Sequence, residues 1–207
     1  TQNGIRGGSA TVHFPIWHQE IEDIIVLKNN KGTEDNRVRK LDYSIQISKL
    51  FYERFIQDAE ISLFSPHDVP GLYDAFGTDK FDSLYTTYEQ DSSVPRKTIG
   101  AQELILDLLK ERAETGRIYI MNIDHCNEHS SFKDKVNMSN LCQEITLPTD
   151  PIQHIDGEGE IALCILSAIN VGKLRNLDEL EELCDLTVRA LDAVSYTHLR
   201  AHETQRN

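Results

Sequence analysis

The stretch from Thr98 to Met121 constrains the fold of this chain more than any other. Thr98 can cap a helix running to Glu114, with Ile99, Leu104, Ile105, Leu108 and Leu109 recurring at helical spacing as its inward face. Gly116 is placed to end that helix, and Arg117-Ile-Tyr-Ile-Met121 follows at once as a strand. A helix handing over to a strand across a single glycine is the rhythm of an α/β fold with parallel strands. The rest of the chain keeps that rhythm. Ala10 to Phe14 and Leu41 to Ile47 read as strands, with Pro15 opening a helix between them whose apolar face is Trp17, Ile21, Ile24, Ile25 and Leu27. Ser48 to Gln57 reads as a helix with Leu50, Phe51 and Phe55 buried, Ile61 to Phe64 as a short apolar run, and the stretches from Asp68 and from Phe81 as short helices. Ile161 to Ile169 is apolar almost throughout, as in a strand covered on both faces. Asn176 caps a last helix whose buried stripe is expected to be Leu177, Leu180, Leu183, Cys184, Val188 and Leu191.

Charge and length bound the function. Against 21 Lys and Arg stand 34 Asp and Glu, a formal charge of −13. Such a chain repels the phosphates that a general nucleic-acid binder must neutralise. The longest apolar run, Ile161 to Leu166, falls far short of the ~20 residues that span a bilayer. No basic segment followed by an apolar one opens the sequence, so the expectation is a cytoplasmic protein without membrane contact. At ~150 residues per domain, 207 residues make one domain or one large piece of a bigger one. The glycine-rich opening, Thr1 to Gly8, favours the second reading, because nothing before it could nucleate a fold.

The four cysteines, Cys126, Cys142, Cys164 and Cys184, are dispersed, with no Cys-x-x-Cys pair. Most such cysteines are small buried apolar groups. Cys142 lies in a sharper setting, Ser139-Asn-Leu-Cys-Gln-Glu-Ile145. If Ser139 to Leu147 is extended, Asn140, Cys142 and Glu144 share one face, with Leu141, Gln143 and Ile145 on the other. An amide, a thiol and a carboxylate in a row can fix a hydroxyl, supply sulfur chemistry and take a proton. A half-exposed strand with one packed cysteine is the plainer alternative. His125, Cys126 and His129 lack a fourth ligand at usable spacing, so no metal site is expected there.

Asn140-Leu-Cys-Gln-Glu-Ile145 resembles the finger-loop motif of the ribonucleotide reductase large subunit. Leu27-Lys-Asn-Asn30, Asn36-Arg-Val-Arg39, Leu63 to Phe76, Thr115-Gly-Arg-Ile-Tyr-Ile120, Asp124-His-Cys-Asn127, Gly159 to Cys164 and Asn176 to Leu183 resemble the same subunit in the same order. The likeness is greatest to the aerobic, diphosphate-reducing branch and runs from Thr1 to about Ala193. It implies an α/β fold, part of a ten-stranded α/β barrel with a central finger loop, with residues 1–193 a partial catalytic barrel. The tail 194–207 instead resembles a translated sequencing adapter and is read as non-native.

The resemblance also implies roles. Cys142 would become a thiyl radical that abstracts the 3′ hydrogen of a ribonucleoside diphosphate, Glu144 would deprotonate the 3′ hydroxyl, and Asn140 would hydrogen-bond the sugar. Cys164 would be one of two redox cysteines, its partner lying upstream. Gln2 and Arg6 would belong to the loop that reads base and allosteric effector. No cofactor would be bound by this chain; a di-metal small subunit would supply the radical, thioredoxin or glutaredoxin the electrons, and ATP or deoxynucleotides the regulation of a full-length homodimer. The non-enzymatic alternative is an α/β nucleotide-binding or interaction module. A thiyl radical needs a dry site, so Cys142 and Cys164 are expected to be shielded and within ~10 Å of each other.

Overall fold

The computed structural model describes residues 9–150, 154, 159–160 and 165–203, of which 195–203 by backbone only. The chain divides into two compact units, Thr1–Ala162 and Leu163–Asn207.

The first unit is built on three parallel strands. β1 (Thr11–Pro15) is followed by a short helix α1 (Ile21–Ile25), then by the central strand β2 (Asp42–Ile47). α2 (Lys49–Ile56) leads to β3 (Glu60–Leu63), and α3 (Leu72–Ala75) and α4 (Phe81–Gln90) lead to β4 (Lys97–Gly100). α5 (Ala101–Thr115) returns the chain to β5 (Ile118–Asn122), which pairs in parallel with β2 and gives the order β1-β2-β5. α6 (Ile123–Glu128) precedes a small hairpin, β6 (Met138–Ser139) and β7 (Thr146–Leu147). The helix–glycine–strand step holds: Gly116 ends α5 at φ 66° and β5 starts two residues later.

The core packs against the apolar side of this sheet. Tyr43, Ile45 and Ile47 of β2 and Ile118 of β5 are buried with Trp17, Phe51, Phe64, Phe76, Phe81 and Tyr85. The rings meet edge-on or tilted, Phe76 and Phe81 at 4.6 Å and Phe51 and Tyr85 at 5.5 Å, the arrangement their quadrupoles favour. On α5, Ala101, Leu104, Ile105, Leu108 and Glu111 are buried. The Glu111 carboxylate accepts two hydrogen bonds from Asn29 Nδ2, at 2.7 and 2.8 Å. That pairing lets an acidic side chain occupy a core position.

Several local expectations are corrected. Pro15 closes β1 and opens no helix; α1 begins only at Ile21. Thr98 lies in β4, paired with Ser62 of β3, and Gly100 takes the N-cap position of α5. The β-branched pair Thr98-Ile99 goes to the strand because a ladder partner is at hand. Leu109 is exposed, as it falls off the stripe set by Leu104 and Leu108. Ser139 to Leu147 is a hairpin rather than one extended strand.

In the second unit, residues 165–169 form no strand, and Leu166 is exposed. Apolar composition alone makes no strand without a neighbour to complete its backbone hydrogen bonds. Residues 161–164 lie outside the described residues. α7 (Glu179–Glu203) is capped as expected, Asn176 Oδ1 accepting from the Glu179 amide at 3.2 Å. Its half-buried stripe is Leu180, Leu183, Thr187 and Leu191, while Leu177, Cys184 and Val188 are exposed. The helical backbone continues without a break past Ser195 to Glu203; residues 204–207 lie outside the described residues.

Candidate functional site

The sheet's second face is polar. Residues alternate sides along each strand, so Thr11 and His13 of β1, Ser44 and Gln46 of β2, and Tyr119 of β5 project to the side opposite Tyr43, Ile45 and Ile47. Register aligns His13 with Ser44 and Ser44 with Tyr119, making one row across the three strands. Ser44 and Gln46 are nonetheless buried. What covers them is the β6–β7 hairpin.

The hairpin is held from several points on that face. Thr11 Oγ1 donates to the Leu141 carbonyl. The Ser139 amide donates to His13 Nε2 at 3.3 Å. Gln46 Nε2 donates to the Asn137 carbonyl at 2.6 Å. Ser44 Oγ donates to Gln143 Oε1 at 2.8 Å, and Gln143 Nε2 donates to the Ile120 carbonyl at 2.9 Å. Burial pushes the His13 imidazole below its ordinary value, which keeps the ring neutral and its Nε2 available as an acceptor.

Within the loop, Asn140 does the folding. Its carbonyl accepts from the Gln143 amide at 3.1 Å, closing a turn. Its side-chain Oδ1 accepts from the Ile145 amide at 3.0 Å and from Ser139 Oγ at 3.2 Å. Asn140 is therefore buried, and its Nδ2 has no partner among the described residues. Cys142 and Glu144 are exposed, while Leu141, Gln143 and Ile145 between and beside them are half-buried. Burial raises the Tyr119 phenol above its ordinary value, and nearby acidic groups, Asp42 and Glu144 among them, add to this against the opposing pull of Arg112.

The expected trio is brought onto one loop but not into one environment: Cys142 and Glu144 are exposed, and Asn140 is buried because its carboxamide is used to curl the loop. The expectation that Cys142 is shielded is corrected; seating Leu141 and Gln143 on the sheet leaves Cys142 exposed at the loop's outer side. Cys126, half-buried, Cys142 and Cys184 are free thiols. Burial raises the Cys126 thiol, with Asp124 adding to it. No group of three or more His, Cys, Asp or Glu is arranged for a metal among the described residues. Gln2, Arg6 and Cys164 lie outside the described residues, so the spacing of Cys142 and Cys164 does too. Sequence reasoning missed Thr11, His13, Ser44, Gln46 and Tyr119. Their signal was present: Asp42-Tyr-Ser-Ile-Gln-Ile47 alternates polar and apolar, unusual for a parallel strand buried on both sides.

A family model for the ribonucleotide reductase barrel domain matches residues 1–207. The chain belongs to that family. A ribonucleoside-diphosphate reductase subunit alpha of Haemophilus influenzae is 60% identical over 200 residues, which cover 94% of this chain and 26% of that protein. Ribonucleoside-diphosphate reductase 1 subunit alpha of Escherichia coli is 56% identical over 157 residues, covering 73% of this chain and 21% of the relative. The subunit alpha of Enterobacteria phage T4 is 44% identical over 200 residues, covering 93% and 26%. The chain thus spans about a quarter of the length of the curated relatives it matches. In this reductase barrel domain the β1-β2-β5 sheet is a run of parallel strands whose polar side carries the cysteine loop. No described helix is long and apolar enough to cross a membrane.

Proposed function

We propose that this chain is the finger-loop portion of a ribonucleoside-diphosphate reductase large subunit, and that Cys142 and Glu144 carry its chemistry. The observation that supports this best is the exposure of both the Cys142 thiol and the Glu144 carboxylate on a loop that hydrogen bonds tie to all three parallel strands. Positioning to within a fraction of an ångström is what hydrogen abstraction from a sugar carbon demands.

In this reading Cys142, oxidised to a thiyl radical, takes the 3′ hydrogen of the ribose of a diphosphate substrate. Glu144 accepts the 3′ hydroxyl proton, and the 2′ hydroxyl then leaves as water after protonation. Cys164 and a second thiol supply two electrons and become a disulfide. The 3′ hydrogen returns from Cys142, regenerating the thiyl. Asn140 keeps the loop curled, its Oδ1 accepting from the Ile145 amide and from Ser139 Oγ. A small subunit is the source of the oxidising equivalent, thioredoxin or glutaredoxin the reductant, and Gln2 and Arg6 read the base or effector.

The test is turnover by the full-length subunit with its small subunit. Cys142→Ser should lower kcat by at least ~10³-fold without weakening substrate binding, as removal of a reacting group does. Glu144→Gln should lower it by roughly 10²–10⁴-fold. Wild-type turnover in Cys142→Ser would defeat the reading and favour a nucleotide-binding or interaction module without chemistry.

A further inference from the structure

Between Cys142 and Glu144 sits a residue with unusual backbone and side-chain commitments. Gln143 has φ 63°, in the left-handed region; among the described residues only Asp58 shares that property without being glycine. A residue other than Gly, Asn or Asp is held there only when its surroundings over-determine it. Here the surroundings are explicit. The carboxamide uses both ends at once, accepting from Ser44 Oγ on β2 and donating to the Ile120 carbonyl on β5. Ile120 is the register partner of Ile45, the residue after Ser44, so one side chain straddles the β2–β5 seam. Ser44 is fully buried, and the bond to Gln143 is the one that occupies its hydroxyl.

We propose that Gln143 is a positioning residue for Cys142 and Glu144, and that Ser44 is its partner in a polar clamp. The left-handed turn at Gln143 sends its own side chain down to the sheet and its two neighbours outward. With the carboxamide pinned at both ends, the loop has little freedom to rotate about the Gln143 backbone. The directions of the thiol and the carboxylate are thereby fixed relative to Tyr119 on the same strand as Ile120. Loss of the clamp frees the loop tip while the β6–β7 pairing and the Thr11 and His13 contacts remain. The effect should therefore be on geometry more than on folding.

The kinetic part of the test rests on the proposed reductase chemistry; the exchange part does not. In the full-length subunit, Ser44→Ala, Gln143→Leu, Gln143→Gly and the Ser44→Ala/Gln143→Leu double variant are compared with wild type. Amide hydrogen exchange of residues 139–146 should quicken about tenfold in both Gln143 variants and less in Ser44→Ala, with thermal midpoints little changed. With the small subunit present, kcat should fall at least tenfold in Gln143→Leu with KM for the diphosphate nearly unchanged. Gln143→Gly adopts φ 63° without strain yet lacks the carboxamide, so it should lose kcat as well. The double variant should be no worse than Gln143→Leu alone, since both remove one interaction. Unchanged exchange in the Gln143 variants, or additive effects of the Ser44 and Gln143 substitutions, would overturn the clamp. Quickened exchange with full turnover in Gln143→Leu would overturn the positioning role. A Cys142→Ser variant that keeps turnover would count against the reductase chemistry alone and leave the exchange result standing.

Discussion

The Ser139 backbone amide donates to His13 Nε2 across 3.3 Å, joining the first strand of the sheet to the start of the cysteine loop. The contact requires a lone pair on Nε2 and so a neutral ring. Burial holds the His13 imidazole below its ordinary value, and the ring's row neighbours, Ser44 and Tyr119, carry no charge at neutral pH.

A pH dependence follows, and its sign is fixed. With the folded pKa below the unfolded value of about 6.5, the His13 contribution to stability is whole above pH 6.5 and is lost as pH falls through the folded pKa. Protection of the Ser139 amide against hydrogen exchange, corrected for intrinsic rate, should therefore decline as pH falls below about 6.5. His13→Gln keeps an acceptor and removes the titration, so its protection should be flat over that range. An equal decline in both proteins would assign the effect to another group, such as His18, which burial also lowers.

Tyr85 anchors the aromatic core, packed against Phe51, Phe64 and Phe81. Its buried hydroxyl accepts from the Ser62 amide at 2.9 Å and donates to the Ser62 carbonyl at 2.7 Å. Tyr85→Phe leaves both backbone groups of one buried residue without that partner and should cost about 1–3 kcal/mol in urea unfolding. Burial raises the phenol far above its ordinary value, so the difference between the two proteins should stay constant from pH 6 to 9. A cost below about 0.5 kcal/mol would mean that water replaces the hydroxyl.

Two glycines with similar backbone angles should respond differently to alanine. Gly77 has φ 85°, and an added Cβ would lie 2.7 Å from Ile123 Cγ1 and 3.2 Å from the Ile123 carbonyl oxygen. Gly116 has φ 66° and open space around it. Gly116→Ala carries only the left-handed penalty, about 1 kcal/mol. Gly77→Ala adds a clash with the first turn of α6 and should cost about 1–3 kcal/mol more. Equal unfolding midpoints for the two variants would show that α6 yields freely.

The parts of this molecule that were legible in the sequence are those set by local chemistry. Gly116 ends a helix because it reaches φ 66° without strain, and Asn176 caps one because its side chain reaches an amide three residues on. Thr98 was misread because its partner, Ser62, lies far back in the chain, and a ladder at that distance leaves no local mark. The cysteine loop was misread for the opposite reason. Asn140 folds its own carboxamide onto Ile145, and a side chain that bonds nearby backbone competes with an extended strand. Cys142 and Glu144 emerged as neighbours from their spacing. The support beneath them did not, since His13, Ser44 and Gln143 meet only through the register of β1 and β2.

The Asn29–Glu111 pair tests how a buried carboxylate is tolerated in this core. Both residues are buried, at 8% exposure each, and the amide nitrogen of one donates to both carboxylate oxygens of the other. Asn29 is further fixed because its Oδ1 accepts from the Lys31 amide at 2.7 Å and its carbonyl accepts from Arg39 Nη2 at 3.2 Å. Asn29→Ala strands the carboxylate and should destabilise by about 2–4 kcal/mol, near the cost of breaking a buried charged pair. Glu111→Leu continues the stripe of Leu104 and Leu108, and the transfer of one more apolar side chain offsets part of what the lost hydrogen bonds contributed. The Asn29→Ala/Glu111→Leu double variant should then be more stable than Asn29→Ala alone, because no buried charge remains unpaired. Urea unfolding of the four proteins gives the coupling directly. If Asn29→Ala and the double variant unfold at the same midpoint, the carboxylate is reached by water in the absence of Asn29, and the pair is a surface contact in effect rather than part of the core.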